Sequence, residues 1–159
     1  MILYHGSYVE VRNPKIIIGD ATHDFGFAFY LTEHREQAER WAKIKVRRNG
    51  LGKPIVSVFD FDEDILELDF KEFPETNEEW LDVVSKCRTI KEYNHGFDIV
   101  KGKIADDKVG ETITFYLEGV ITKEQTIERL KYSDVNSQIA FCTEESLKHL
   151  KFKNSYEVK

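Results

Sequence analysis

Three short stretches of this 159-residue chain hold the side chains best placed to do chemistry. The first is His5-Gly6-Ser7. A histidine at the end of a strand, followed by glycine, presents an imidazole and bare backbone amides to one ligand, since glycine lets the backbone come close. The same triplet also reads as a plain turn after an edge strand, with His5 packed or solvated. The second stretch runs from Asp24 to Thr32 and holds Phe25, Gly26, Phe27, Phe29 and Tyr30. An exposed Tyr30 would stack on a flat heterocycle, whereas a buried aromatic strand is the commoner use of such residues. The third is Asn136-Ser137-Gln138-Ile139-Ala140-Phe141-Cys142, a polar loop leading into an apolar run. Gln138 would begin the strand with an amide that both donates and accepts.

Other groups read more simply. Asp106-Asp107 is a general base, a metal pair or an acceptor-positioning site in one reading. In the other it caps the following helix, as Asp commonly does. Asp98 and Lys101 lie near the same strand. His23 and His34 have no ligand spacing with Cys87 or Cys142, so no metal is expected. Both cysteines follow apolar patterns and read as small hydrophobes. Lys43, Lys45, Arg47 and Arg48, with Lys53 beyond, suit a helix C-terminus or a phosphate-contacting patch.

The elements that must position these groups alternate irregularly. Ile2 to His5 reads as a strand, and Phe27 to Leu31 as another. Thr32 is expected to cap a helix to about Arg48, with Ala38, Trp41, Ala42 and Lys45 on one face and Gly50 as its stop. Lys53 to Phe61 and Ile65 to Phe70 are expected to form a hairpin turning on Asp62-Glu63-Asp64. Thr76 to Glu79 reads as a capping box before Trp80, Val83, Val84 and Cys87. Phe97 to Ile104 reads as a strand. Residues 107–118 favour strand by propensity and helix by the spacing of Val109, Ile113, Tyr116 and Leu117, and helix is preferred. Thr122 opens a further helix. Gln138 to Cys142 is a strand, Thr143 caps a short helix, and residues 149–158 return as a strand. The pattern predicts a single α+β domain over 1–159, not a parallel doubly wound sheet.

Composition removes several classes. The chain is 41% hydrophobic and 33% charged, as globular domains are. It lacks a run of about 20 apolar residues, so no membrane span is expected. The first residues show no signal-peptide pattern, and the expectation is a cytoplasmic protein. A net charge of −6 gives no general attraction to nucleic acid. Neither a dinucleotide-binding glycine fingerprint nor a phosphate loop is present.

Taken in order, His5-Gly6-Ser7, Gly26 to Tyr30 with its following helix, and Gln138 to Phe141 resemble the ADP-ribosyltransferase superfamily. The branch resembled is that of poly-ADP-ribose polymerases and diphtheria toxin, with its His-Tyr-Glu triad. The chain also looks like DUF3990, a bacterial family assigned to that superfamily. Phe97 to Val100 and Gly102 to Asp107 are similar to its central motif. The resemblance implies a split β-sandwich of two antiparallel sheets with flanking helices.

It also implies roles. His5 would bond the adenosine ribose of NAD, and the Gly6 backbone would grip the nicotinamide carboxamide, with Ser7 beside it. Tyr30 would stack on the nicotinamide, with Gly26, and with Phe25 or Phe27 as further contacts. Gln138 stands where the family has a catalytic glutamate, and Asn136 where relatives orient the acceptor. An amide supplies no charge to the ribose cation, at a cost of about 3 kcal/mol of barrier. The expected activity is therefore mono-ADP-ribosyl transfer from NAD to a protein or nucleic acid, in the manner of a toxin held by a neutralising partner. Two alternatives remain: a non-catalytic module binding NAD or ADP-ribose, and an NAD glycohydrolase.

Overall fold

Strand β1, Ile2–Ser7, pairs antiparallel along its length with β3, Ile55–Phe61. β7, Leu150–Glu157, takes the other edge of β3, giving a three-stranded sheet in the order β1-β3-β7. The computed structural model describes residues 1–16, 24–90, 93–103, 107–131 and 137–159. A second sheet has the order β2-β6-β5-β4, from Phe29–Leu31 (β2), Ser137–Phe141 (β6), Ile99–Lys103 (β5) and Phe70–Phe73 (β4). Five helices complete the described residues: α1 (Arg35–Asn49), α2 (Glu78–Thr89), α3 (Asp107–Leu117), α4 (Lys123–Leu130) and α5 (Glu144–Leu147).

Alternation along the strands sorts the side chains into layers, because successive residues point to opposite faces. Leu3, Phe59 and Phe61 of the first sheet meet Phe29, Leu31, Ile99, Ile139 and Phe141 of the second. Two edge-to-face pairs join the sheets across this layer: Phe29 on Phe59 at 5.8 Å and Phe61 on Phe141 at 5.2 Å. Each adds about 0.5–1.5 kcal/mol beyond simple burial. The outer face of the first sheet takes α1, with Ala38 packed among Val56 and Val58. Val100 and Ala140, on the outer face of the second sheet, lie under Trp80, Leu81 and Val84 of α2, Val109 and Ile113 of α3, and Leu130 of α4.

The α+β class and two-sheet arrangement agree with expectation, and so does the helix over 107–117. Thr122 and Thr143 make the capping boxes that open α4 and α5, and Gly50 ends α1 in the left-handed region. Five local expectations are corrected. The hairpin over 53–70 does not form: both edges of β3 are taken, and β4 lies in the other sheet. Leu66, read as part of an apolar alternation, is 95% exposed. The second sheet is not wholly antiparallel, since β4 runs parallel to β5. Asn77, not Thr76, caps α2, accepting from the Trp80 amide. His34, not Thr32, is the residue before α1; the Thr32 hydroxyl accepts instead from the His34 amide, two residues on.

Candidate functional site

The two sheets meet at one backbone bridge among the described residues, between Tyr4 and Thr32, each amide donating to the other's carbonyl. This bridge fixes which way β1 faces. In an antiparallel ladder, residues alternate between bonding the neighbouring strand and pointing away from it. Tyr4 gives both its bonds to Thr32, so Gly6, two residues on, also turns its N–H and C=O away from β3. Among the described residues no strand continues opposite Gly6: β2 ends at Leu31, and only Thr32 bridges to β1. The Gly6 carbonyl accepts from the Lys45 ammonium at 2.8 Å. Its N–H has no partner among the described residues. The glycine itself is imposed from the opposite side. A Cβ there would lie 2.0 Å from the Ala38 carbonyl oxygen of α1.

His5 faces the layer between the sheets. It is 2% exposed and stacks on Phe29 at 4.2 Å. Its Nδ1 lies 2.7 Å from the Tyr30 carbonyl oxygen. A carbonyl only accepts, so Nδ1 carries the proton and Nε2 the lone pair. Burial, and then the nearby Lys45 charge, push its pKa down to about 3, against the bond to Tyr30. His5 is thus a neutral imidazole near pH 7. Ser7 is buried on the same face.

Tyr30 occupies the opposite face of β2, with its partly buried ring packed among Phe25, Ala140 and Val100. Its hydroxyl donates to the Gly26 carbonyl at 2.5 Å and accepts from the Phe25 amide at 3.2 Å. These bonds close the turn at Gly26, whose φ of 81° suits glycine. Phe25 has no exposed surface: it stacks on Phe73 and fills the space beside Gly102. As placed here, it offers a ligand nothing. Tyr30→Phe should cost about 1–3 kcal/mol, since two part-buried backbone groups lose their partner. Urea unfolding of the variant checks this; an unchanged midpoint would show that the hydroxyl does not hold the turn.

Behind this turn is a histidine that the sequence reading passed over. His95 accepts from the Phe97 amide at Nδ1 and donates from Nε2 to the Phe25 carbonyl. Cys142 Sγ lies 3.5 Å from the same Nε2. Burial lowers the His95 pKa, and it raises those of the Cys142 and Cys87 thiols to about 12. Both cysteines are therefore protonated thiols near neutrality, as small hydrophobes would be. His95 sits in a loop with no periodic pattern, so no local signal ties it to Phe25, 70 residues away.

Gln138 is 6% exposed, and it shares the Tyr30 face of the second sheet. Tyr30 is paired with Ala140, so Gln138 is its diagonal neighbour, about 7–8 Å away. The backbone just before Gln138 is pinned. The Ser137 carbonyl accepts from Thr32 Oγ1 at 3.2 Å and from Gln37 Nε2 at 2.9 Å. Tyr30 and Gln138 are thus brought onto one face. His5 lies on the other side of β2 and reaches them through the Tyr30 carbonyl. Asn136, Asp106 and His23 lie outside the described residues. Asp98 is taken up by the Thr143 hydroxyl and the Asp69 amide, and Lys101 by Glu33. His34 is exposed at the start of α1. No group of three metal-ligating side chains occurs among the described residues, and no helix among them is long and apolar enough to cross a membrane.

The molecule is therefore an α+β protein of two facing sheets in which, among the described residues, no strand pairs with the Gly6 edge beside the bridge. The chain belongs to the family described as protein of unknown function (DUF3990), whose model matches residues 1–152. No curated protein and no solved structure matches it.

Proposed function

We propose that this protein is an NAD-dependent mono-ADP-ribosyltransferase. The observation that carries the reading is the outward N–H and C=O of Gly6. A primary carboxamide offers the complementary acceptor and donor, so nicotinamide would add to β1 as a strand would. The partly buried Tyr30 ring would take the heterocycle. His5 Nε2 would accept a ribose hydroxyl, and the Gln138 amide would hold the other ribose. When the glycosidic C1′–N bond breaks, its electron pair returns to the nicotinamide ring, which leaves neutral. The acceptor's nucleophile then bonds C1′ and releases its proton to water, because Gln138 cannot take it. A protein or nucleic-acid acceptor and a neutralising partner belong to the same reading, by analogy with small toxins of this chemistry.

The test is incubation of the protein with adenylate-labelled NAD and a bacterial lysate, followed by separation of protein from nucleic acid. Label in one fraction, with free nicotinamide, supports the transferase and names the acceptor class. Nicotinamide release without an acceptor would make it a glycohydrolase. Binding of NAD with no release would make it a non-catalytic reader, a second reading favoured by the uncharged Gln138. Gln138→Glu should raise nicotinamide release about a hundredfold, because a carboxylate there would stabilise the ribose cation. No increase in a folded variant would remove Gln138 from the reacting centre.

A further inference from the structure

Lys45 is the one member of the basic run on α1 turned inward. Lys43, Arg47 and Arg48 are exposed, where they complement the end of a helix. Lys45 instead reaches from α1 to the Gly6 carbonyl, 2.8 Å away. No carboxylate pairs with it among the described residues. Its ammonium is desolvated, which pushes its pKa down to about 8. A desolvated cation held by one neutral oxygen is poorly compensated, and an anion entering beside Gly6 would compensate it better.

We propose that Lys45 is a latch that makes carboxamide recognition at Gly6 conditional on phosphate. In this structure its ammonium engages the Gly6 carbonyl. A phosphate-bearing nucleotide draws it away, which leaves that carbonyl to the carboxamide. The latch rests on the reading of the Gly6 edge as a carboxamide site and adds the determinant that selects a dinucleotide over its nicotinamide fragment. The charges agree with this. A nicotinamide ring joined to ribose but to no phosphate is cationic and would meet the Lys45 charge, whereas the same ring linked to a pyrophosphate brings the counter-charge with it.

The experiment is calorimetric titration of wild type, Lys45→Met and Lys45→Arg with NAD, ADP-ribose and nicotinamide, beside a thermal unfolding curve for each. Lys45→Met should weaken NAD and ADP-ribose by about tenfold or more, the loss of a charge-assisted contact. It should bind nicotinamide more tightly than wild type, because the Gly6 carbonyl is released. Lys45→Arg should keep ADP-ribose affinity within about threefold, since the charge remains. Should Lys45→Met not fold, Lys45→Gln serves the same comparison. Equal ADP-ribose affinity in wild type and the uncharged variant would overturn the latch and leave the transferase reading standing. So would a parallel loss of ADP-ribose and nicotinamide, which marks a structural role. A wild type that binds neither NAD nor ADP-ribose overturns both.

Discussion

Acidification from about pH 7 to about pH 4 is expected to remove about 3 kcal/mol of stability through His5 alone. His5 has a pKa near 3 in the folded chain and an ordinary value of 6.5. Between those values the unfolded chain binds a proton that the folded chain refuses. Stability therefore rises with pH across that window: it is present in full above 6.5 and is lost as pH falls toward 3. Each unit of the difference is worth about 1.4 kcal/mol. The cause is mainly burial of the imidazole between the sheets, then the charge of Lys45, and the bond to Tyr30 works the other way. His95, also lowered by burial, adds a smaller slope of the same sign. His5→Asn keeps an N–H for the Tyr30 carbonyl and cannot take up the proton. Urea midpoints of the two proteins, compared across this range, isolate the effect, because the carboxylates titrate alike in both. Parallel acid limbs would mean that His5 is not held neutral by the fold.

Gly6→Ala is expected to cost about 3 kcal/mol or more, a large part of the roughly 5–15 kcal/mol that holds a domain together. The added methyl would lie 2.0 Å from the Ala38 carbonyl oxygen and 2.9 Å from the Ala42 nitrogen. Both are backbone atoms in regular helix, so neither can turn aside. Trimming Ala38 to glycine gives no relief, because the obstacle is the carbonyl and not the side chain. Either α1 lifts from β1 or β1 bends. Thermal unfolding measures the loss; a change under about 1 kcal/mol would show that α1 shifts freely on the sheet. Ligand chemistry has no part in this prediction. The hydrogens of Gly6 face the helix, while its peptide groups point away from β3. The packing of α1 thus accounts for the residue type, and the bridge at Tyr4 accounts for the direction in which the peptide groups point.

That separation shows how far the sequence could be read. Several local signals held: the Thr122 and Thr143 boxes, the Gly50 stop and the Val109-Ile113 spacing lie where the elements begin, end and bury their stripes, while the Thr32 and Thr76 caps fell one or two residues short of the helices they were to open. Alternation over 65–70 misled, because residues 65–69 form turns closed by local bonds, such as the Leu68 amide to the Ile65 carbonyl, and β4 begins only at Phe70. The partners of β3 come from the two ends of the chain, and no residue near 65 records that. In the candidate site, His5, Gly6, Tyr30 and Gln138 were legible as residues of suitable type. Their arrangement was not, since it depends on where β1 and β2 part. Phe25 looked the same as Phe27 in sequence, but the burial of its ring against Phe73 and Gly102 is decided by residues nearly 50 and more positions away. The inward turn of Lys45 follows from the face it shares with Ala38 and Ala42, but its partner, the Gly6 carbonyl, lies 39 residues away and leaves no local mark.

Helix α1 touches both sheets at the place where they part. Gln37, near its start, holds the Ser137 carbonyl of β6, and Lys45, about two turns later, holds the Gly6 carbonyl of β1. The helix is therefore a strut across the fork, tying β6 to β1 through two side chains. A molecule that wedges the fork open must tilt α1 or release one of its two ends. Amide exchange along α1 would then report occupancy of the gap from a surface that the occupant never touches.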